Sequence, residues 1–280
     1  MERSDITSNH KSSFERKLIL DTSKKAAQLI LQNGGETYRA EDTCRRICMS
    51  CGAVKVDVLS VTTGIVLSVE FDDPDSDVNH FHTTVARVPF RITDLKAIEK
   101  TNEISRELSA GTISVEKANK EFDIMLKELE EPPKPSFTKK CCSALGPGFA
   151  SAFFSLVFGG GVHEFFVSFI AAWLTSYLSH MWGEHLRLYT FINTFLSSII
   201  SACLCMLFTA VYPALGYNFV IIGVIMPLVP GIAITNAVRD TMNGDLVSGS
   251  VRLIEALLIA IAIAAGFGFI MGFAMQFGII

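Results

Sequence analysis

Charge all but vanishes from the second half of this 280-residue chain. Between Met1 and Lys140 a charged residue stands every few positions. From Cys141 to Ile280 there are only eight: Glu164, Glu184, Arg187, Arg239, Asp240, Asp245, Arg252 and Glu255. With a mean hydropathy of +0.40, the chain reads as a soluble part joined to a membrane part. Lys/Arg-rich runs are missing and the net charge is -4, which argues against a nucleic-acid partner. The opening residues "MERSDITSNHKSSFERKLIL" lack the apolar core of a signal peptide, so the polar part is expected to stay on the side where it is made. The seven cysteines are odd in number, and Cys141, Cys142, Cys203 and Cys205 flank or lie in apolar segments. A disulfide framework is therefore not expected, and a reducing cytoplasm fits. No G-x-S-x-G, Walker or G-x-G-x-x-G motif occurs, so no familiar catalytic signature points to an enzyme.

What is present divides into four parts. Residues 1–17 read as a disordered polar tail, 18–131 as a cytoplasmic α+β domain, 132–140 ("PPKPSFTKK") as a stiff Pro-rich linker and 141–280 as a transmembrane domain. In the soluble part, Leu18, Leu20, Ala26, Ala27, Leu29 and Ile30 recur at helical spacing up to Asn33, where Gly34-Gly35 stops the segment. Glu41 to Cys51 predicts a second helix. "VKVDVLSV", "TTG" and "IVLSVEF" predict a β-hairpin, and Phe81 to Val88 a third strand after the acidic loop Asp72 to Asp77. Asp94 to Ser109 and Ser114 to Glu130 predict two more helices, separated at Gly111 and with Ser114 as a cap.

Cys44, Cys48 and Cys51 share a helical face, so three thiolates could converge, but zinc would need a fourth ligand and none stands at an obvious spacing. Small buried core residues are the plainer reading. His80 and His82 lie on one side of a strand, again a two-ligand pattern or simply an exposed face. No metal and no cofactor is expected.

A helix needs about 20 apolar residues to cross the hydrocarbon core. Five segments qualify, roughly Cys142–Gly160, Glu164–Trp182, Leu188–Tyr212, Phe219–Val238 and Leu253–Gln276. The fold class that follows is an α-helical polytopic membrane domain of about five spans preceded by a cytoplasmic α+β domain. Lys139, Lys140, Arg187, Arg239 and Arg252 all fall on one side of such a bundle, which places the soluble domain in the cytoplasm and the C-terminus outside a plasma membrane. Ala256, Ala260, Ala264, Gly268 and Gly272 recur every fourth residue of the fifth span, a stripe of the kind that lets helices approach closely. Asn193, Thr194, Ser197, Ser198 and Ser201 make a polar patch in the third span, either helix–helix hydrogen bonds or a water-lined path. His180 reads as interfacial.

The segment "IMPLVPGIAITNAVRDTMNGDLVSG" breaks the pattern of the fourth span. Pro227 and Pro230 remove backbone donors, and Gly231 allows close approach beside them. Unsatisfied backbone at membrane depth is tolerated where it is buried in protein or lines a cavity, and discontinuous helices of this kind form many transporter sites. Asn236, Arg239, Asp240 and Asn243 then share one helical face, and Asp245, Arg252 and Glu255 follow, the last two spaced to pair one turn apart. These residues are the expected substrate or proton path. The alternative is a Pro kink that shapes packing, with Arg239 and Asp240 at the headgroups.

"GVIMPLVPGIAITNAVRDTMNGDLVSGSVRLIEAL" resembles the signature of the threonine/serine exporter (ThrE) family in its shorter, YjjP-like form. "GGETYRAEDTCRRIC", "VTTGIVLSVEF" and "VARVPFRITDLKAIEKTNEISRELSAGTISVEKA" resemble the family's cytoplasmic domain, so that the likeness runs from about Ile19 to Gly272. One departure is "FGGGVHEF", where His163-Glu164 stand in place of an aspartate-containing turn. The resemblance implies proton-driven export of small hydrophilic metabolites, threonine and serine or a dicarboxylate such as succinate. It also implies a second small membrane subunit that supplies the other half of the transporter; homo-oligomerisation is a further possibility. The rival classes are a membrane-tethered hydrolase, with Cys44 or Cys48 beside His80 or His82, and a regulatory scaffold.

Overall fold

The first apolar stripe folds into one long helix, α1 (Glu2–Gln32), in the computed structural model of the chain. The structure describes the backbone of residues 2–71, 80–130, 136–186 and 190–276 and the side chains of 13–71, 81–130, 136–182 and 190–276. The acidic loop Asp72 to Asp77, most of the linker, Arg187 and the side chains of His80 and Glu184 lie outside the described residues. Leu18 lies inside α1 rather than at its start, and Glu2 to Lys17 is helical where the polar composition suggests a tail. The physical reason is that no Gly or Pro interrupts the sequence from Glu2 to Gln32, so the helix propagates backwards from its buried part.

Helix α2 (Thr37–Ser50) follows, then strands β1 (Ala53–Val61), β2 (Gly64–Phe71) and β3 (His80–Arg87), and helices α3 (Leu95–Ser109) and α4 (Val115–Glu130). The sheet is antiparallel in the order β1-β2-β3, with Val61 opposite Gly64, so that Thr62-Thr63 form a two-residue turn. The period-2 alternation puts Ile65, Leu67, Val69 and Phe71 of β2 on one face, packed with Leu20, Ala27, Ile30, Cys44 and Cys48. The opposite sides of α1 and α2 give Ala26, Leu29 and Ile47 to a second cluster with Ile104, Leu108, Phe122 and Met125 of α3 and α4. Asp94 caps α3 by accepting from Lys96 N and Ala97 N, and Ser114 Oγ accepts from Lys117 N on α4.

The cysteines of α2 lie in this core. Cys44 Sγ donates to Ser23 O at 3.2 Å and Cys48 Sγ to Ser23 Oγ at 3.1 Å. Burial pushes the Cys44 thiol well up and the Cys48 thiol up to about 11, the conditions of an inert thiol and not of a metal-binding or nucleophilic thiolate. His82 packs edge-on against the Phe71 ring, 6.2 Å between centroids.

The apolar half begins with α5 (Phe137–Val157), α6 (Val162–Leu186) and α7 (Thr190–Val211). Then come α8 (Tyr217–Ile225), a 3-10 turn at Met226–Leu228, α9 (Gly231–Met242) and α10 (Leu246–Gln276). Among the described residues, three helices are long and apolar enough to cross a membrane, α5, α7 and α10; they become four if α8 and α9, bent by 54° at the proline break, are one span. Five were expected. The missing one is α6, whose 25 residues suffice in length but whose second half is diluted by Thr175, Ser176, Tyr177, Ser179 and His180. By internal packing the chain forms two units, Met1–Pro133 with Ala233–Leu253, and Lys134–Ile232 with Ile254–Ile280. Residues 233–253, which the hydropathy assigns to the membrane half, therefore pack with the first unit.

Inside the second unit α5 presents Ala144, Gly148, Ser151, Ala152 and Ser155 as its buried face. A Cβ on Gly148 would lie 3.1 Å from the Phe169 ring, and one on Gly223 of α8 would lie 2.7 Å from Ser151 O. These helices thus cross at near-backbone contact. The fourth-residue stripe of α10 does not behave as one face. Ala256 is buried, but Ala260, Ala264, Gly268 and Gly272 are exposed. A repeat of four turns about 40° too far per step on a 3.6-residue helix, so the stripe winds off the packed side. The packed side is Ala262, Ile263, Gly266 and Phe267, and a Cβ on Gly266 would lie 2.6 Å from Ser198 Cβ of α7. Asn193, Ser198 and Ser201 of the α7 polar patch bond to neighbouring helices or to their own backbone. Ser201 Oγ donates to Thr175 Oγ1 at 3.1 Å, Ser198 Oγ to Thr194 O at 2.7 Å, and Asn193 Oδ1 accepts from Trp182 Nε1 at 2.6 Å.

Candidate functional site

Two glycines end α1, and each has a structural reason to be there. Gly34 has a φ of +86°, and a Cβ on Gly35 would lie 2.5 Å from the Ile30 side chain and 2.9 Å from Ile30 O. Gly35 N donates back to Ile30 O at 2.8 Å, which closes the helix, and Glu36 becomes the N-cap residue of α2. The turn is backed by the extended segment before α3, through Ile92 N to Gln32 O at 2.8 Å and Asp94 N to Asn33 O at 3.2 Å.

Four side chains from the segment 233–253 hold the four residues of this turn one by one. Asn236 Nδ2 donates to Gly34 O at 2.7 Å, and Arg252 Nη2 to Gly35 O at 2.6 Å. Arg239 Nη1 meets Glu36 Oε1 at 2.6 Å. Asp240 Oδ1 accepts from Thr37 Oγ1 at 3.0 Å and from Thr37 N at 3.3 Å. Helical geometry explains the set: positions 236, 239 and 240 fall on one face of α9, and Arg252 reaches the same place from the second turn of α10. The reversal between α9 and α10 passes through Gly244 at a φ of +89°. It is fixed by Asp245, whose backbone N donates to Asp240 O at 2.9 Å and whose Oδ1 accepts from Ser248 N at 3.0 Å.

The electrostatics are closed on themselves. Asp240 is 0% exposed and its Oδ2 lies 2.8 Å from Arg252 Nε, itself 5% exposed. Glu36 is buried between two guanidinium groups, Arg239 and Arg39, the latter 3.3 Å from Oε2. Burial pushes the Glu36 carboxyl up, but the Arg239 hydrogen bond, its own backbone N–H and the Arg39 charge outweigh this and hold it below its ordinary value. Burial likewise raises Asp245, and the two Ser248 donors, Thr37 and the Arg252 charge bring it lower overall. Arg239 is the open member of the cluster, with its side chain 57% exposed. Two arginines at the edge of the turn, sharing one buried carboxylate, suit a carboxylate ligand by the bidentate geometry of guanidinium.

Of the residues singled out from the sequence, Asn236, Arg239, Asp240, Asp245 and Arg252 are brought together here. Pro227, Pro230 and Gly231 belong to the second unit, at the break between α8 and α9, and Glu255 lies half-buried on α10 in that unit. Arg252 reaches Asp240 and Gly35. The side of the site that the sequence did not reveal is Gly34, Gly35, Glu36 and Thr37. The available signal was the stretch "GGET" itself, in which a helix stop is followed at once by an acidic residue and a hydroxyl.

A family model described as "Putative threonine/serine exporter" (ThrE) matches residues 21–274. No curated protein and no solved structure matches the chain. The matched span takes in both the "GGET" turn and the four side chains that hold it.

Proposed function

Because the chain belongs to the threonine/serine exporter family, a family of membrane transporters and not of enzymes, we propose that it is one subunit of a secondary exporter of small hydrophilic metabolites. Its substrates are threonine/serine-type amino acids or dicarboxylates such as succinate, and the proton gradient drives it. The first unit lies in the cytoplasm and the C-terminus outside, in keeping with the one-sided placing of Lys139, Lys140, Arg187, Arg239 and Arg252. A second small membrane protein completes the transporter.

The observation that carries this reading is the family match over nearly the whole chain. The residues assigned to the path keep separate roles. Pro227, Pro230 and Gly231 mark the break that a discontinuous transporter helix needs. Arg239 receives the substrate carboxylate at the cytoplasmic end, and the buried Asp240–Arg252 pair with Asn236 and Asp245 holds the segment that presents it. Glu255, on α10 in the second unit, is assigned to the path by its charge.

Release of labelled threonine, serine and succinate from cells with and without this chain and its companion subunit tests the proposal. Arg239→Ala should lower release at least tenfold while membrane insertion stays normal. Equal release in cells lacking the chain would sink the exporter reading, and full release with Arg239→Ala would remove the role given to that residue.

A further inference from the structure

The turn "FGGGVHEF" contains a buried carboxylate outside the candidate site. Helix α5 ends at Val157, Gly159 reverses the chain at a φ of +104°, and α6 starts at Val162. Gly160 has no room for a side chain, since a Cβ there would lie 2.8 Å from Ser155 O and 3.1 Å from Phe219 Cβ. Glu164 stands in the first turn of α6 and is 9% exposed. Its Oε2 accepts from Gly161 N at 2.8 Å and its Oε1 from Gly216 N at 2.7 Å, 52 residues further along. Gly216 is the N-cap residue of α8, so one carboxylate ties the α5–α6 turn to the α7–α8 turn.

Among the described residues no Lys or Arg stands beside it, and the neighbouring charge is that of His163, the residue before Glu164. Helices α7 and α8 carry no Asp, Glu, Lys or Arg, and Lys139 and Lys140 sit at the opposite end of α5. The titratable neighbours are His163, exposed and with its ring 5.5 Å from that of Tyr212, Tyr212 itself, and Tyr217 at the start of α8. Both carboxylate oxygens are used as acceptors by backbone donors, and a protonated acid keeps only its carbonyl oxygen as a strong acceptor. The Gly161 bond is a cap within one turn and is held in place by the helix. The Gly216 bond spans two loops and is the one that yields.

We propose that Glu164 is a proton-binding site, and that its protonation releases the α7–α8 turn from the α5–α6 turn. This rests on the exporter reading for the side it faces, which is extracytoplasmic, opposite Lys139 and Lys140. A proton passes from water to Oε1, an O–H bond forms, and Gly216 N exchanges the carboxylate for water. The clasp is shut when Glu164 is charged and open when it is neutral.

The test uses the full chain in nanodiscs, with native cysteines replaced and nitroxide labels at Val162→Cys and Ala214→Cys, both exposed positions in the two turns. Dipolar broadening should be strong at pH 8 and lost only once the pH falls below the ordinary carboxylate range, and Glu164→Gln should lose it throughout. Broadening that ignores pH in the Glu164 chain overturns the proposal, as does a pH response that survives Glu164→Gln and disappears with His163→Gln. The pH series on the Glu164 chain decides alone if the Gln variant does not fold. Because label distance is read without transport, a failed export assay leaves this result standing, and an unchanged distance leaves export untouched.

Discussion

Two glycine turns in this chain are held by side chains from distant positions, and they are held in opposite ways. The turn Gly34 to Thr37 is clasped by charges that neutralise one another, Asp240 with Arg252 and Glu36 with Arg239 and Arg39. The turn Gly159 to Gly161 is clasped by a lone carboxylate, Glu164, that meets backbone N–H groups. A buried ion pair is costly to form and far more costly to halve, because the surviving charge stays buried. A carboxylate held by amide donors alone can be neutralised without leaving a charge behind. The first clasp is therefore built to stay closed, and the second to respond to a proton.

The strongest way to break the comparison is at the first clasp. Asp240→Ala should cost about 3–5 kcal/mol of stability, since Arg252 keeps its charge in a site that is 5% exposed. Replacing both, Asp240→Leu with Arg252→Met, should recover much of that loss. Thermal unfolding of the purified protein in detergent reads both effects, and a double variant no better than Asp240→Ala would show that the pair acts through packing.

Between its helices the second unit depends on close packing. Gly223→Ala puts a Cβ 2.7 Å from Ser151 O, a backbone atom with no freedom to move. Overpacking of this kind costs about 1–3 kcal/mol. Gly268→Ala, with nothing within 4 Å, should not destabilise the isolated chain. The same pair of melts checks both, and equal shifts would contradict the buried face assigned to α5 and α8.

A pH titration sharpens the contrast from the first unit's side. The folded-state carboxyl of Glu36 lies below its ordinary value of 4.5, so its contribution to stability is complete above that value. It is lost as pH falls through the lower, folded value. Stability should therefore drop below about pH 4.5 in the native chain, and less steeply in Glu36→Gln. An identical acid limb in both chains would remove Glu36 from the clasp.

Much of this architecture is legible in the sequence alone. The alternation of "VKVDVLSV" and "IVLSVEF" and the cap Ser114 are local signals, and local signals survive folding. The break at Pro227 and Pro230 was legible for the same reason, because proline acts on its own backbone. What was not legible depends on pairing across the chain. Arg239 and Asp240 look like unspent charge until Glu36 and Thr37, some 203 residues away, are placed beside them. Period alone also misled at α10, where a repeat of four imitates a face that the 3.6-residue helix does not keep.

The smallest expected effect concerns the three cysteines of α2 and the rival reading they allowed. A hydrolase nucleophile needs a thiolate in reach of solvent, whereas Cys44 and Cys48 are buried against Ser23 with their thiols pushed up, Cys48 to about 11. At pH 8 both should resist iodoacetamide in the native protein and react fully once unfolded, as mass spectrometry of the peptides would show. Cys48→Ala deletes one thiol hydrogen bond and a small volume, for a cost of about 1 kcal/mol, and export should continue at the native rate. Rapid native alkylation of Cys44, or loss of export in Cys48→Ala without loss of protein, would move chemistry back into a region whose geometry reads as core.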